Sequence, residues 1–192
     1  VVSNINQSEW QNAYLSEIRR VGAETKDRVL RSVFFGGGTP SMMDADLVDA
    51  IITQIRATWP LANDIEITLE ANPTSVEAGR FRGYREAGVN RISLGIQALN
   101  DPDLKALGRL HTTKEAMAAF DVARNAFERV SFDLIYARQG QSVKAWEKEL
   151  TTALGLAIDH LSLYQLTIET GTAFGDRYAA GKLRGLPNDD LA

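Results

Sequence analysis

Five short runs rich in aliphatic, β-branched and aromatic residues, beginning at Val33, Ile65, Arg91, Val130 and His160, alternate with segments of helical periodicity. The repeat is roughly thirty residues, the length of a strand–helix–strand unit. Such alternation sets the strands parallel in one sheet with the helices outside it, an α/β architecture. In a parallel sheet all strand C-termini share one rim, and ligands bind at that rim in barrels and open sheets alike. The alternation therefore constrains the fold and also says where a site should be sought.

The spacing predicts strands over Val33–Phe35, Ile65–Leu69, Arg91–Gly95, Val130–Tyr136 and His160–Leu166. A helix is expected over Ser8–Glu24, with Ser8 and Gln11 as a capping box and Trp10, Tyr14, Ile18 and Val21 on one face. A second is capped by Asp44 and buries Leu47, Val48, Ile51, Ile52 and Ile55. A third runs from its cap Ser75 to Ala87 and closes at Gly88, where a C-terminal glycine belongs. Asp101–Leu107 is a short helix. Thr113 caps another, with Ala116, Phe120, Ala123 and Phe127 inward, and Ser142 caps the one in which Val143, Trp146, Leu150 and Leu154 recur. A short helix near Ala173–Ala180 precedes a Gly/Pro/Asp-rich end.

The 192 residues suit one domain or a large piece of one. A net charge of -4 argues against a broad footprint for nucleic acid, because such binding is driven by neutralising phosphates. No apolar run approaches the roughly 18 residues of a membrane span, and Val1-Val2-Ser3-Asn4 has neither the basic nor the apolar region of a signal peptide. Cysteine is absent, which excludes disulfides and thiolate metal sites within these residues and is compatible with a cytoplasmic protein.

Each strand delivers polar groups to the shared rim. The first ends in Gly36-Gly37-Gly38-Thr39, the second in Glu70 and Asn72, the third in Gln97, the fourth carries Asp133, and the fifth ends in Gln165 and Thr167. Glycine leaves backbone groups open to a ligand, but no Gly-Lys-Ser/Thr follows and the spacing is not that of a dinucleotide fingerprint. Asp133, inside Phe132-Asp133-Leu134-Ile135, needs a partner or a function. His111 and His160 read as structural.

Four motifs stand in a family order: Val33-Phe34-Phe35-Gly36-Gly37-Gly38-Thr39-Pro40-Ser41, Leu69-Glu70-Ala71-Asn72-Pro73, Leu94-Gly95-Ile96-Gln97 and Asp133-Leu134-Ile135-Tyr136. Together they resemble the radical S-adenosylmethionine (SAM) proteins of the oxygen-independent coproporphyrinogen III oxidase group, over nearly the whole chain. Glu-Ala-Asn-Pro and Gly-Ile-Gln lean toward its heme-chaperone branch. The resemblance implies a partial (β/α)6 TIM-like barrel whose first strand is missing here, so that residues 1–192 form an incomplete radical SAM core domain without the family's C-terminal domain. It implies SAM and a [4Fe–4S] cluster as cofactors, with Gly37, Gly38, Thr39, Glu70, Gln97, Arg109, Asp133 and, through its backbone, Thr167 as SAM contacts. It also implies a porphyrinogen or heme as ligand and, on the chaperone branch, a heme-accepting apo-protein.

Two departures accompany the resemblance. The family's Cys-x3-Cys-x2-Cys array would precede residue 1, so this chain by itself is expected to be inactive, because such clusters need cysteine thiolates. The family's Gly-Leu-Pro after Asp-Leu-Ile-Tyr is replaced by Ala137-Arg138-Gln139, which leaves the shape of that loop to be found.

Overall fold

The computed structural model describes residues 6–157 and 159–188, so residues 1–5, 158 and 189–192 lie outside the description. Helix α1 (Gln7–Glu24) leads into β1 (Leu30–Phe35), a 3-10 turn (Pro40–Met42), α2 (Ala45–Thr58) and β2 (Leu61–Ala71). Then come α3 (Ser75–Ala78), α4 (Phe81–Ala87), β3 (Arg91–Gln97), α5 (Asp101–Ala106) and α6 (Thr113–Ala126). Last are β4 (Arg129–Tyr136), α7 (Val143–Leu156), β5 (His160–Gln165) and α8 (Ala173–Ala179). The strands form one sheet in the order β1-β2-β3-β4-β5, every neighbouring pair parallel. This is the parallel sheet that the strand–helix alternation predicts, and the half-barrel that the resemblance implies.

The two faces of the sheet differ sharply. Ile67, Leu69 and Ala71 of β2, Ile92, Leu94 and Ile96 of β3, and Val130, Phe132 and Leu134 of β4 all point into the core. They meet Leu47, Val48, Ile51 and Ile52 of α2, Phe81 and Tyr84 of α4, and Ala116, Phe120 and Ala123 of α6. Phe120 and Phe132 meet edge-on, centroids 5.4 Å apart, a favoured aromatic geometry. The alternate residues are polar. Glu66 pairs with Arg91 and Arg129, Arg129 also with Asp159, and Arg91 reaches the Ser131 hydroxyl, which in turn bonds Ser93. This face is a ladder of charges and hydroxyls rather than the aliphatic layer usual in parallel sheets.

The stripes expected on α2 and α6 are buried as predicted. Four expectations shift. The cap of α1 is Asn6, whose side chain accepts from Glu9 N, and not Ser8. The cap of α6 is Thr112, not Thr113, in a reciprocal capping box with Glu115. The segment 75–87 is two helices rather than one, with Gly88 at φ 110 closing the second. On α7 the buried residues are Glu149 and Ala153, while Val143 and Leu154 are exposed. The helix is rotated because Glu149 is drawn inward by buried donors described below.

Thr112→Ala removes the acceptor for Glu115 N and one half of the box. We expect a loss of about 1 kcal/mol, read as a Tm about 2–4 °C lower. An unchanged Tm would mean the box contributes nothing beyond solvation.

Candidate functional site

The rim is assembled from loops whose shapes are fixed from behind. After β1, Gly37 and Gly38 take φ of 73° and 45°, and a Cβ at either would meet nothing within 4 Å. Glycine is needed there for its left-handed backbone, and the space above stays open. Gly37 N donates to Glu70 Oε2 at 3.3 Å, which joins the glycine loop to the end of β2. Below it, Arg80 Nη1 donates to Ser41 O at 2.9 Å. The Tyr84 hydroxyl lies 2.9 Å from that oxygen and 2.7 Å from Met43 O, its single proton shared between them. Burial pushes the Tyr84 pKa above its ordinary value. Glu77 of α3 accepts from the Ser41 hydroxyl, from Asn72 N at 2.6 Å and from Asn72 Nδ2 at 3.3 Å. It thereby ties the glycine loop to the Glu70–Asn72 turn.

At the end of β3 the register against β4 shifts between Leu94 and Gln97, and buried Gln97 sits at φ 79°. A non-glycine residue held left-handed is a strained feature of the sort that clusters at binding sites. Asp133 lies across the polar face from Ser93, its Oδ1 3.5 Å from the hydroxyl. Burial, with the Glu70 carboxylate nearby as the next cause, raises its pKa from 3.8 to about 6; Ser162, Ser93 and Arg109 oppose the shift. Arg109, in the turn after α5, is half-buried, which lowers its pKa, while Asp133 favours its charge. Among the described residues Arg109 makes no ion pair. Its neighbour Leu110 is 99% exposed.

These groups enclose a polar cavity of about 150 Å³ lined by Gly38, Thr39, Glu70, Gln97, Arg109 and Asp133, with Pro40, Ser41, Ala71, Asn72, Ser93 and Gly95 completing the wall. Gly37 joins it through Glu70. Thr167 is exposed beyond β5 and is not a lining residue. His111 is buried with Nε2 3.1 Å from Ile96 O, and burial lowers its pKa. It braces β3 through that contact, the structural role expected of it. A larger cavity of about 660 Å³ lies between α1, β1 and α2. Its walls are mainly Trp10, Tyr14, Ile18, Phe34 and other apolar groups, with Gly36, Gly37, Gly38 and Thr39 of the glycine loop at its border with the smaller cavity. It has no charged side chain, so the acid–base chemistry belongs to the smaller one. Among the described residues no group of three His, Asp or Glu could hold a metal ion, and no helix is long and apolar enough to cross a membrane.

Sequence reasoning did not single out Glu77, Arg138 or Glu149. Their partners stand up to 50 positions away, so no local pattern announces them; the only cue was the replacement of the usual tripeptide by Ala137-Arg138-Gln139.

Comparison with known proteins agrees with this architecture. The heme chaperone HemW of Escherichia coli (strain K12) is 41% identical over 187 residues, which cover 97% of this chain and 48% of that protein. The mitochondrial radical S-adenosyl methionine domain-containing protein 1 of Danio rerio is 41% identical over 163 residues, covering 84% and 36%. The chain thus spans about half the length, or less, of the curated relatives it matches. Coproporphyrinogen III oxidase (HemN) from Escherichia coli, a radical SAM enzyme, superposes with a TM-score of 0.71 at 22% identity, covering 98% of this chain and 43% of that one. At that identity the likeness speaks for the fold. The family model of the radical SAM superfamily matches residues 6–153. With its parallel half-barrel and its polar rim, this chain belongs to the radical SAM superfamily.

Proposed function

We propose that the rim cavity binds S-adenosylmethionine and that the chain is the core of a heme-chaperone-type radical SAM protein. The observation that carries the reading is Arg109, a half-buried guanidinium without an ion pair among the described residues, beside two carboxylates and an open glycine backbone. SAM presents a carboxylate, an ammonium, a ribose diol and a sulfonium. Arg109 suits the carboxylate as a planar fork. Glu70 accepts from ribose hydroxyls, and Gly37, Gly38 and Thr39 offer backbone groups to the methionine end. Gln97 supplies an amide and Asp133 a carboxylate facing positive charge, while Thr167, outside the cavity wall, has no part in this reading.

A [4Fe–4S] cluster is another matter. The sequence holds no cysteine, so these residues do not fit the cluster, and their own contribution is to bind and orient S-adenosylmethionine.

Support for the chaperone branch comes from relatives named heme chaperones at 41% and 40% identity and from the Glu70-Ala71-Asn72-Pro73 and Gly95-Ile96-Gln97 motifs. On this reading the ligand is heme, the recipient an apo-protein and the location cytoplasmic. The second reading, an oxidase acting on coproporphyrinogen III, rests on the likeness of fold to the oxidase. The two separate on product: an oxidase removes carboxyl groups from propionates, whereas a chaperone returns the porphyrin unchanged.

Calorimetric titration of SAM into the chain tests the site. Without a metal to chelate the methionine end, we expect weak binding, about millimolar or roughly -4 kcal/mol. Arg109→Lys should weaken it about tenfold, because a point charge cannot replace the fork, and Glu70→Gln should weaken it through the ribose. Micromolar binding indifferent to both substitutions would place the ligand elsewhere.

A further inference from the structure

The loop that departs from the family pattern is held by a buried ion pair. Arg138 is 3% exposed and its Nη2 donates to Glu149 Oε2 of α7 and, at 2.7 Å, to Asp103 Oδ2. Its Nη1 donates to Ile135 O at 2.6 Å. Glu149, also buried, accepts from Leu99 N at 2.6 Å through Oε1 and from Gln141 Nε2 at 3.3 Å through Oε2. Asp103 Oδ2 additionally accepts from Asn100 Nδ2 at 2.8 Å. One pair of side chains therefore stitches the turn after β3 (97–100), the start of α5, the turn after β4 (137–141) and α7.

Those two turns contain the chain's two described non-glycine residues with positive φ, Gln97 at 79° and Ala137 at 57°. Residues in that region persist only where their surroundings over-determine them. Glu149 grips the backbone two residues beyond Gln97, and Arg138 is the neighbour of Ala137. Gln97 lines the polar cavity and Glu149 does not. A pair of this kind need add little net stability, so its value must lie in the geometry it imposes.

We propose that the Arg138–Glu149 pair is a positioning device for the rim cavity, holding Gln97 through Leu99 in its left-handed conformation and fixing the turn after β4 beside it. The statement about the ligand rests on the SAM reading above; the statement about Gln97 does not. Neither residue lines the cavity.

The test uses three readouts on the 192-residue chain: amide exchange at Leu99, the side-chain amide resonances of Gln97, and SAM affinity by NMR titration. Glu149→Gln breaks the pair. The double variant Arg138→Met with Glu149→Leu removes both charges together, so that a folded protein is retained. In both we expect Leu99 exchange to accelerate at least about tenfold and the Gln97 resonances to move. Glu149→Gln should weaken SAM by roughly fivefold in the wild-type background and by nothing further in Gln97→Ala, the signature of action through one residue. A merely structural pair would lower the melting temperature and leave affinity per folded molecule alone. Retained Leu99 protection with unmoved Gln97 resonances, or additive effects on SAM, would overturn the proposal. A wild-type chain that binds no SAM counts against the SAM reading only, and the exchange and resonance arms then decide.

Discussion

Glu77→Ala should lower the stability of the chain by about 3 kcal/mol, the largest single effect we expect at the rim. Its carboxylate receives the buried Ser41 hydroxyl, the Asn72 amide and the Asn72 side chain. Hydrogen bonds to a charged group contribute about 1.5–3 kcal/mol each, and those sharing one carboxylate are not additive. Alanine leaves the Ser41 hydroxyl without a partner in a fully buried position, a further cost of about 1–3 kcal/mol in the worst case. Arg80 and Tyr84 still hold the Ser41 carbonyl, so the fold survives while the glycine loop parts from the Glu70 turn. Urea unfolding should show a lower midpoint at unchanged slope, with SAM affinity falling in parallel. A loss under about 0.5 kcal/mol, the size of an ordinary surface substitution, would remove Glu77 from the account.

Asp133→Asn should move stability in the opposite direction. The carboxyl titrates near 3.8 when unfolded and near 6 when folded. A raised folded value means that the native state prefers the protonated form. The group's stabilising contribution is fully present below pH 3.8 and is lost progressively as pH climbs through about 6. Asparagine mimics the protonated acid at every pH. The variant should therefore match the wild type below that window and exceed it above. Each pH unit between the two values is worth about 1.4 kcal/mol, and water still reaches the carboxyl, so we expect a gain of about 2 kcal/mol at pH 8. The attraction of Arg109 already opposes the rise, so losing it is included. In the same variant SAM binding should weaken above pH 6, where the wild type presents a carboxylate to a cationic ligand; stability and binding would part company, as at other sites held in unfavourable electrostatics. Denaturant unfolding just below pH 3.8 and at pH 8 checks the first half; a variant less stable at pH 8 would mean that ionised Asp133 is welcome in the fold.

Much of the fold could be read from the chain because strand and helix periodicities are local, and the rim followed from parallel geometry alone. Glu70, Gln97 and Asp133 were identified in that way and Arg109 through the resemblance, which assigned all four to one ligand, and the structure lines one cavity with all four. Element ends were less legible. Asn6 and Thr112 cap where Ser8 and Thr113 were expected, since neighbouring polar residues compete for the same donors and only the turn geometry chooses among them. The break between α3 and α4 falls at Gly79-Arg80, a glycine that the helical reading of 75–87 ran through; Arg80 there is held toward Ser41. On α7 the apolar residues suggested one face and the buried charge pair imposed another, which periodicity cannot foresee because it counts carboxylates as outward.

The two-faced sheet described above carries a thermal consequence. Unfolding exposes apolar surface, which raises the heat capacity by about 0.45 cal/K/mol per Å², and polar surface, which lowers it by about 0.26. Here one side of the sheet releases Ile, Leu, Val and Phe side chains, while the other releases Glu66, Arg91, Thr68, Ser93 and Ser131. The second contribution works against the first. The chain's stability should accordingly change less with temperature than its core alone would dictate, with a broad, shallow optimum in place of a sharply curved one.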